Sequence, residues 1–287
     1  MEPGQPSRTA LGAAGLRAAH QVLDHGAIFS DPLAVRILGG DAAQLMRDAE
    51  ADPWRQRLRW FIAMRSRLAE DALKAAAEQR GVRQLVVLGA GLDTFAYRRV
   101  VDGLRVFEVD HPQTQIWKRQ RLADASIALP DMLCFVPVDF ERDGLSEALA
   151  AAGFKAAEPA FFSWLGVVPY LTEEAIFATL GLIGRLPGGA EVVFDYVNPS
   201  ASRAAPAGSD AIAAETARQA LKDRVAELGE PIHSYFETDI LCARLAQLGF
   251  DGVADFGPEQ LAARFFPGRA RAGSGGGAHI MHAMAGA

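Results

Sequence analysis

Gln84-Leu85-Val86-Val87-Leu88-Gly89-Ala90-Gly91-Leu92-Asp93-Thr94 is the stretch on which the fold turns. A short, almost wholly apolar run closed by two glycines suits a strand buried on both faces that ends in a tight turn. Glycines in such a turn let backbone amides approach a ligand with no side chain between. Similar runs recur at 104–109, 132–138, 160–168, 191–196, 252–256 and 279–283, and helical patterns separate most of them, at 113–125, 145–152, 173–185 and 239–248. Strand and helix in alternation imply an α/β protein with a parallel sheet covered on both faces.

Upstream of Gln84 the pattern is helical. Ser7 stands as a cap before residues 8–24, Asp31-Pro32 and Asp52-Pro53 are helix-start signals, and residues 54–80 run unbroken to Gly81, which is placed to stop them. Residues 1–80 thus form a helical N-terminal segment and 81–287 the sheet-bearing core, within one structural domain. Two stretches break the alternation. Residues 198–230 are Ala-rich and too long for a simple connection, which predicts a helical insertion, and Gly273-Ser274-Gly275-Gly276-Gly277 reads as a loop before the final strand.

Composition narrows the function. A chain of 287 residues can bury roughly three quarters of its unfolded surface, enough for one large core. Its net charge of −6 argues against nucleic acid, because the Arg-rich stretch 55–67 is interleaved with apolar residues at helical spacing and forms no basic patch. No stretch approaches the roughly 18 apolar residues of a membrane span, and residues 1–12 lack a basic segment followed by an apolar run. Cys134 and Cys242 have neither metal-ligand nor redox spacing. These features predict a cytoplasmic protein that does not engage membranes.

The next two strands end in acids. Phe107-Glu108-Val109-Asp110 places a carboxylate where it can accept hydrogen bonds from both ribose hydroxyls of an adenosine, and Val138-Asp139-Phe140 sets Asp139 against an adenine amino group and Phe140 against its ring. Each acid could instead cap a helix or sit as a surface charge, but three consecutive strand tips converge on one crevice in an open α/β sheet. A nicotinamide enzyme calls for a third glycine where Thr94 stands, and a phosphate-binding Gly-Lys-Ser/Thr is absent. S-adenosyl-L-methionine has no pyrophosphate and brings an amino-acid end that the backbone of Gly89, Ala90 and Gly91, with a nearby cation, can hold.

With these motifs the chain resembles the leucine carboxyl methyltransferase family of class I methyltransferases, especially its bacterial branch. The resemblance rests on Ser7-Arg8-Thr9-Ala10, Asp31-Pro32-Leu33-Ala34, Arg65-Ser66-Arg67, the Leu85-to-Thr94 stretch, Phe107-Glu108-Val109-Asp110-His111-Pro112, Val138-Asp139-Phe140 and Pro169-Tyr170-Leu171-Thr172. It implies a Rossmann-like, seven-stranded, mostly parallel sheet with its last strand antiparallel, under an N-terminal helical lid. It also implies that Arg65 grips the cofactor carboxylate, Gly89 lines the methionine end, Asp110 holds the ribose, and Asp139 with Phe140 frames the adenine. Arg67 is the register alternative to Arg65, and either arginine could pair instead with Glu70 or Asp71 along the helix. Many relatives carry a glutamate where this chain has Leu165; that contact is missing here or supplied elsewhere, with Asp110 and Glu108 as candidates.

The chemistry implied is O-methylation of a carboxylate or hydroxyl on a small molecule or peptide, leaving S-adenosyl-L-homocysteine. A carboxylate acceptor needs no base, and no catalytic His/Asp arrangement stands out. Tyr170 is the candidate for orienting the substrate, or a buried tyrosine with a satisfied hydroxyl. His279 and His282, three apart on a strand, fall on opposite faces, so no metal is assigned. His20 and His25 either touch substrate or sit on a helix surface. Gly273-Ser274-Gly275 lacks the strand-to-helix setting of a nucleophile elbow. The competing readings are a non-catalytic protein that binds S-adenosyl-L-methionine, motivated by Leu165, and a nicotinamide-dependent dehydrogenase, disfavoured by Thr94.

Overall fold

A computed structural model describes residues 8–51, 53–98, 100–140, 142–199, 232–268 and 277–286. Seven strands, β1 (Gln84–Leu88), β2 (Arg105–Asp110), β3 (Leu133–Pro137), β4 (Ala160–Trp164), β5 (Ala190–Asn198), β6 (Gly252–Phe256) and β7 (Gly277–Ala285), form one sheet in the order 3-2-1-4-5-7-6. The pairs among β1 to β5 are parallel, and β7 runs antiparallel to both β5 and β6, as the resemblance implied. Strand order reverses between β1 and β4. That reversal opens a crevice at the carboxyl ends of the strands, where open α/β sheets bind ligands.

Alternation along each strand builds two cores. Val86, Leu88, Phe107, Phe162, Trp164, Val192 and Phe194 face α6 (Leu145–Ala151), α7 (Glu173–Ile183) and α8 (Thr238–Gln247). Leu85, Val87, Val106, Phe161, Val193 and Ile280 face the long helix α4 (Pro53–Gln79), through Ala63, Leu68, Leu73 and Ala76. All five residues of β1 are buried, which is why that run is apolar on both parities. α5 (Pro112–Asp124) follows β2, with Pro112 in its first turn and His111 Nδ1 accepting from the Gln113 amide.

The N-terminal segment holds four helices where the sequence gives fewer clear starts. α1 (Arg8–Leu23), α2 (Ala34–Leu38) and α3 (Ala42–Ala51) precede α4, and α3 had no signal of its own. The Asp31-Pro32 signal overstates its helix, because the Asp31 carboxylate has other partners. Fully buried, it accepts from Arg17 Nε at 2.8 Å, Thr94 Oγ1 at 2.6 Å and the Leu33 amide at 3.1 Å. Arg17 also donates to the Leu92 carbonyl at 2.6 Å, and Arg98 Nε lies 3.7 Å from Asp31. Burial alone would raise the Asp31 carboxyl, but the charges of Arg17 and Arg98 and the hydrogen bonds from Thr94 and Arg17 outweigh it and hold the group below its ordinary range.

Other boundaries shift for local reasons. β4 ends at Trp164 instead of running to 168, because Gly166 turns the chain at φ +73 beside the Arg65 guanidinium. A short helix α9 (Pro258–Phe265) follows β6 and went unanticipated, although Pro258 at its first turn was the available signal. The Ser7 cap, the 198–230 insertion beyond residue 199 and the glycine tract before Gly277 lie outside the described residues. No helix among the described residues is long and apolar enough to cross a membrane.

The buried pair between α1 and the glycine turn yields a test. Asp31→Asn keeps an acceptor for Thr94 but leaves the buried Arg17 guanidinium without its counter-charge, while Arg98 retains Glu70, so it should cost about 3 kcal/mol in urea unfolding. Because the native carboxyl is depressed, this stabilisation is present above the ordinary value of 3.8 and is lost as pH falls through the lower folded value. The gap between wild type and variant should therefore close in acid, and an equal gap at pH 3 and pH 7 would refute the assignment.

Candidate functional site

At the switch point lies a cleft of about 760 Å³, inside the usual range for small-molecule sites. Its floor is the turn after β1. The Gly89 and Ala90 amides donate to the Val109 carbonyl at 2.9 and 3.1 Å, which folds the turn back over β2. Gly89 sits at φ +66, where a Cβ would lie 2.3 Å from Val167 Cγ2, and Gly91 sits at φ +42 with the Ala10 Cβ of α1 3.0 Å from where its own would be. Both glycines are therefore required by conformation and by close approach. α1 rests directly on the turn.

Asp110 ends β2 and holds the turn. Its Oδ2 accepts from the Gly91 amide at 2.5 Å and its Oδ1 from the His111 amide at 2.7 Å, while burial raises its carboxyl against those two donors. A carboxylate has about four acceptor sites, so two remain for a ligand in the cleft it lines. Asp139 and Phe140 follow β3 on the same wall, where the Asp139 amide donates to Asp143 at 2.9 Å and Phe140 packs on the core.

The cleft thus brings together Arg65, Gly89, Ala90, Gly91, Asp110, Asp139, Phe140 and Tyr170. It does not include Glu108. That side chain lies two residues, or roughly 6.6 Å, below the rim of β2, almost fully enclosed with Lys118 Nζ 2.7 Å from Oε2 and the Tyr97 hydroxyl at 3.3 Å. Glu108 is thus buried on the α4 side of the sheet and, unlike the other candidates, does not line the cleft. Arg67 also points elsewhere, to Asp71 at 2.8 Å on an exposed face, so of the two register choices Arg65 is the one in the cleft.

Arg65 has a partner that the sequence reading did not single out. Its Nη1 donates to Asp195 Oδ2 at 2.8 Å, and Asp195 Oδ1 accepts from the Gly166 amide at 2.5 Å. Strand alternation turns Asp195 of β5 toward α4, where it is 4% exposed. An acid inside the otherwise apolar run Phe194-Asp195-Tyr196 was the signal. Leu165 lines the same end of the cleft, so the carboxylate there comes from β5, one strand over from the position that Leu165 occupies.

The histidines divide clearly. His20 is fully buried, its Nδ1 2.9 Å from Asp24 and its Nε2 accepting from the Ile28 and Phe29 amides, so it ties down the chain after α1 and does not touch the cleft. His25 is exposed away from the cleft. His279 and His282 lean on separate acids, Asp255 and Glu191. His233, whose amide donates to the Pro169 carbonyl at 2.8 Å, lines the cleft with Tyr170 and went unmentioned in the sequence reading. Among the described residues no group of three or more His, Cys, Asp or Glu could hold a metal ion.

The family model described as "Leucine carboxyl methyltransferase" matches residues 10–184. "Putative S-adenosyl-L-methionine-dependent methyltransferase YktD" of Bacillus subtilis (strain 168) is 44% identical over 121 residues, 41% of this chain and 40% of that protein. "Putative S-adenosyl-L-methionine-dependent methyltransferase SCO7813" of Streptomyces coelicolor is 35% identical over 191 residues, 64% of this chain and 66% of that one. The matched part thus spans less than two thirds of the length of these relatives. The crystal structure of a "putative methyltransferase" from Thermobifida fusca YX superposes with a TM-score of 0.56 at 16% identity, covering 100% of this chain and 97% of that one. That likeness concerns the fold alone.

The buried acid beside the site gives a pH test. Burial, only partly offset by Lys118, pushes the Glu108 carboxyl from 4.5 up to about 7, and its Oε1 has no hydrogen-bond partner among the described residues. A raised carboxyl means that the folded state binds the proton more tightly, so the stability it contributes is complete below about 4.5 and is lost as pH rises through about 7. Relative to Glu108→Gln, which cannot titrate, the wild type should lose on the order of 3 kcal/mol between pH 4 and pH 8. Parallel pH profiles of the two proteins in urea unfolding would exclude this.

Proposed function

Because the chain belongs to the leucine carboxyl methyltransferase family, we propose that it is an S-adenosyl-L-methionine-dependent methyltransferase. In this reading the cofactor lies across the tips of β1, β2 and β3, and the acceptor is a carboxylate or hydroxyl on a small molecule or peptide. The observation that carries the proposal is the glycine turn whose Gly91 amide is fixed by Asp110, with Asp139 and Phe140 on the adjoining tip of one cleft.

The residues present fit that group. Two glycines leave a floor of backbone without side chains, Asp110 keeps acceptor capacity for ribose hydroxyls, and Phe140 offers a ring beside Asp139 for the adenine. Arg65 is the cation for the amino-acid end, held in place by Asp195. A dinucleotide fits poorly. The Thr94 hydroxyl is committed to Asp31, and α1 lies over Gly91 where a pyrophosphate would need open approach.

When bound, the cofactor supplies a methyl group already activated on a sulfonium centre. The protein's part is alignment and exclusion of water. Tyr170, on the short turn after β4, orients the acceptor from the cleft wall, and α1 and α4 cover the opposite side. An ionised carboxylate needs no base. A hydroxyl acceptor would need one, and His233 beside Tyr170 is the group in reach of that task.

Calorimetric titration of cofactor-free protein tests the reading, with S-adenosyl-L-methionine and S-adenosyl-L-homocysteine both expected to bind; failure of both would sink it. Transfer of label from methyl-labelled cofactor into any acceptor separates an enzyme from a protein that only binds. Asp110→Ala should weaken S-adenosyl-L-homocysteine by roughly 1.5 to 3 kcal/mol, the scale for losing a charged acceptor. An unchanged dissociation constant in a folded variant would remove the ribose from Asp110.

A further inference from the structure

The cleft continues well beyond the glycine turn, along one face of α4. Arg55, Leu58, Ile62 and Arg65 all line it, and their spacing of three, four and three residues keeps them on a single stripe of the helix. Ten residues separate the two arginines, which is about 15 Å along the axis. Leu16 of α1 and Leu45 of α3 line the same cleft, and Leu16 packs with Leu58 and Ile62, so aliphatic side chains stand along the stripe between the two cations.

The two arginines differ in what they face. Arg65 is neutralised by Asp195. Arg55 is half-buried in the cleft wall and has no acceptor or counter-charge among the described residues, whereas Arg59, one turn on, is held by Asp24 at 2.6 Å and the Ala49 carbonyl. Arg57, outside the cleft, is simply exposed. A guanidinium partly withdrawn from water, unpaired among the described residues and flanked by aliphatic side chains of the cleft, is matched by an anion.

We infer that α4 forms an acceptor subsite for an elongated apolar molecule with an anionic group at its far end, clamped by Arg55, while its other end reaches the methyl-transfer position near Tyr170. This rests on the methyltransferase reading for the direction of the chain but not for the subsite itself. The anion at Arg55 is distinct from the atom methylated. Arg55 is a specificity-determining residue, and a neutral or cationic acceptor of the same length binds poorly.

The test uses octanoate and octan-1-ol, which share an alkyl chain and differ in charge, titrated calorimetrically into the full chain with and without saturating S-adenosyl-L-homocysteine. Octanoate should bind about tenfold more tightly than octan-1-ol, and Arg55→Gln should bring it to the level of the alcohol while Arg55→Lys retains most of the difference. Both variants should keep the wild-type affinity for S-adenosyl-L-homocysteine, which also reports that they are folded. Equal binding of acid and alcohol, no binding of either, or an octanoate affinity unmoved by Arg55→Gln overturns the subsite. Loss of S-adenosyl-L-homocysteine binding in the wild type would instead overturn the cofactor reading, and the octanoate titration without cofactor would still judge Arg55.

Discussion

The hydrogen bond from the Gly91 amide to Asp110 completes the join between the turn after β1 and the tip of β2 that the Gly89 and Ala90 amides begin at Val109. A turn with two residues at positive φ has no intrinsic reason to hold one shape. Here Val109 accepts from its first amides and Asp110 from a later one, so β2 acts as a template for it. The carboxylate is buried to do this, which raises the cost of its charge and makes the two amide donors necessary. A ligand that reaches Asp110 meets a group already oriented, so little ordering is left for binding to supply.

A second carboxylate fixes what lies above. Asp31 gathers Arg17 from α1, Thr94 from the motif and the charge of Arg98, and Arg98 is paired in turn with Glu70 of α4. The helical segment is thus joined to the sheet through ions as well as through apolar packing. Such networks are sensitive to the loss of any one member, because every charge left behind stays buried.

Much of the architecture was legible from alternation of strand and helix, and the three strand tips that line the cleft from glycine and acid placement. What escaped the sequence has identifiable causes. Asp31 looked like a cap because a short acid before proline usually is one, and only the fold brings Arg17 and Thr94 to it. Glu108 and Asp110 share strand parity, so periodicity could not tell a residue at the rim from one enclosed beneath it. Asp195 and Arg65 are 130 residues apart, a pairing that no local pattern encodes. α9 was overlooked because eight residues give too few turns for a convincing period.

β5 carries Asp195 and would be an edge without β7, which pairs with it across nine residues from Ala190↔Ala285 to Asn198↔Gly277. The two strands are separated by about eighty residues of chain, so closing that contact requires a large loop to be paid down in entropy first. Until β7 docks, the strand that steadies Arg65 has one row of backbone groups open to water. Maturation of the cleft is therefore tied to the pairing most distant in sequence, and a partially folded chain with the glycine turn already shaped would still lack the carboxylate that steadies Arg65.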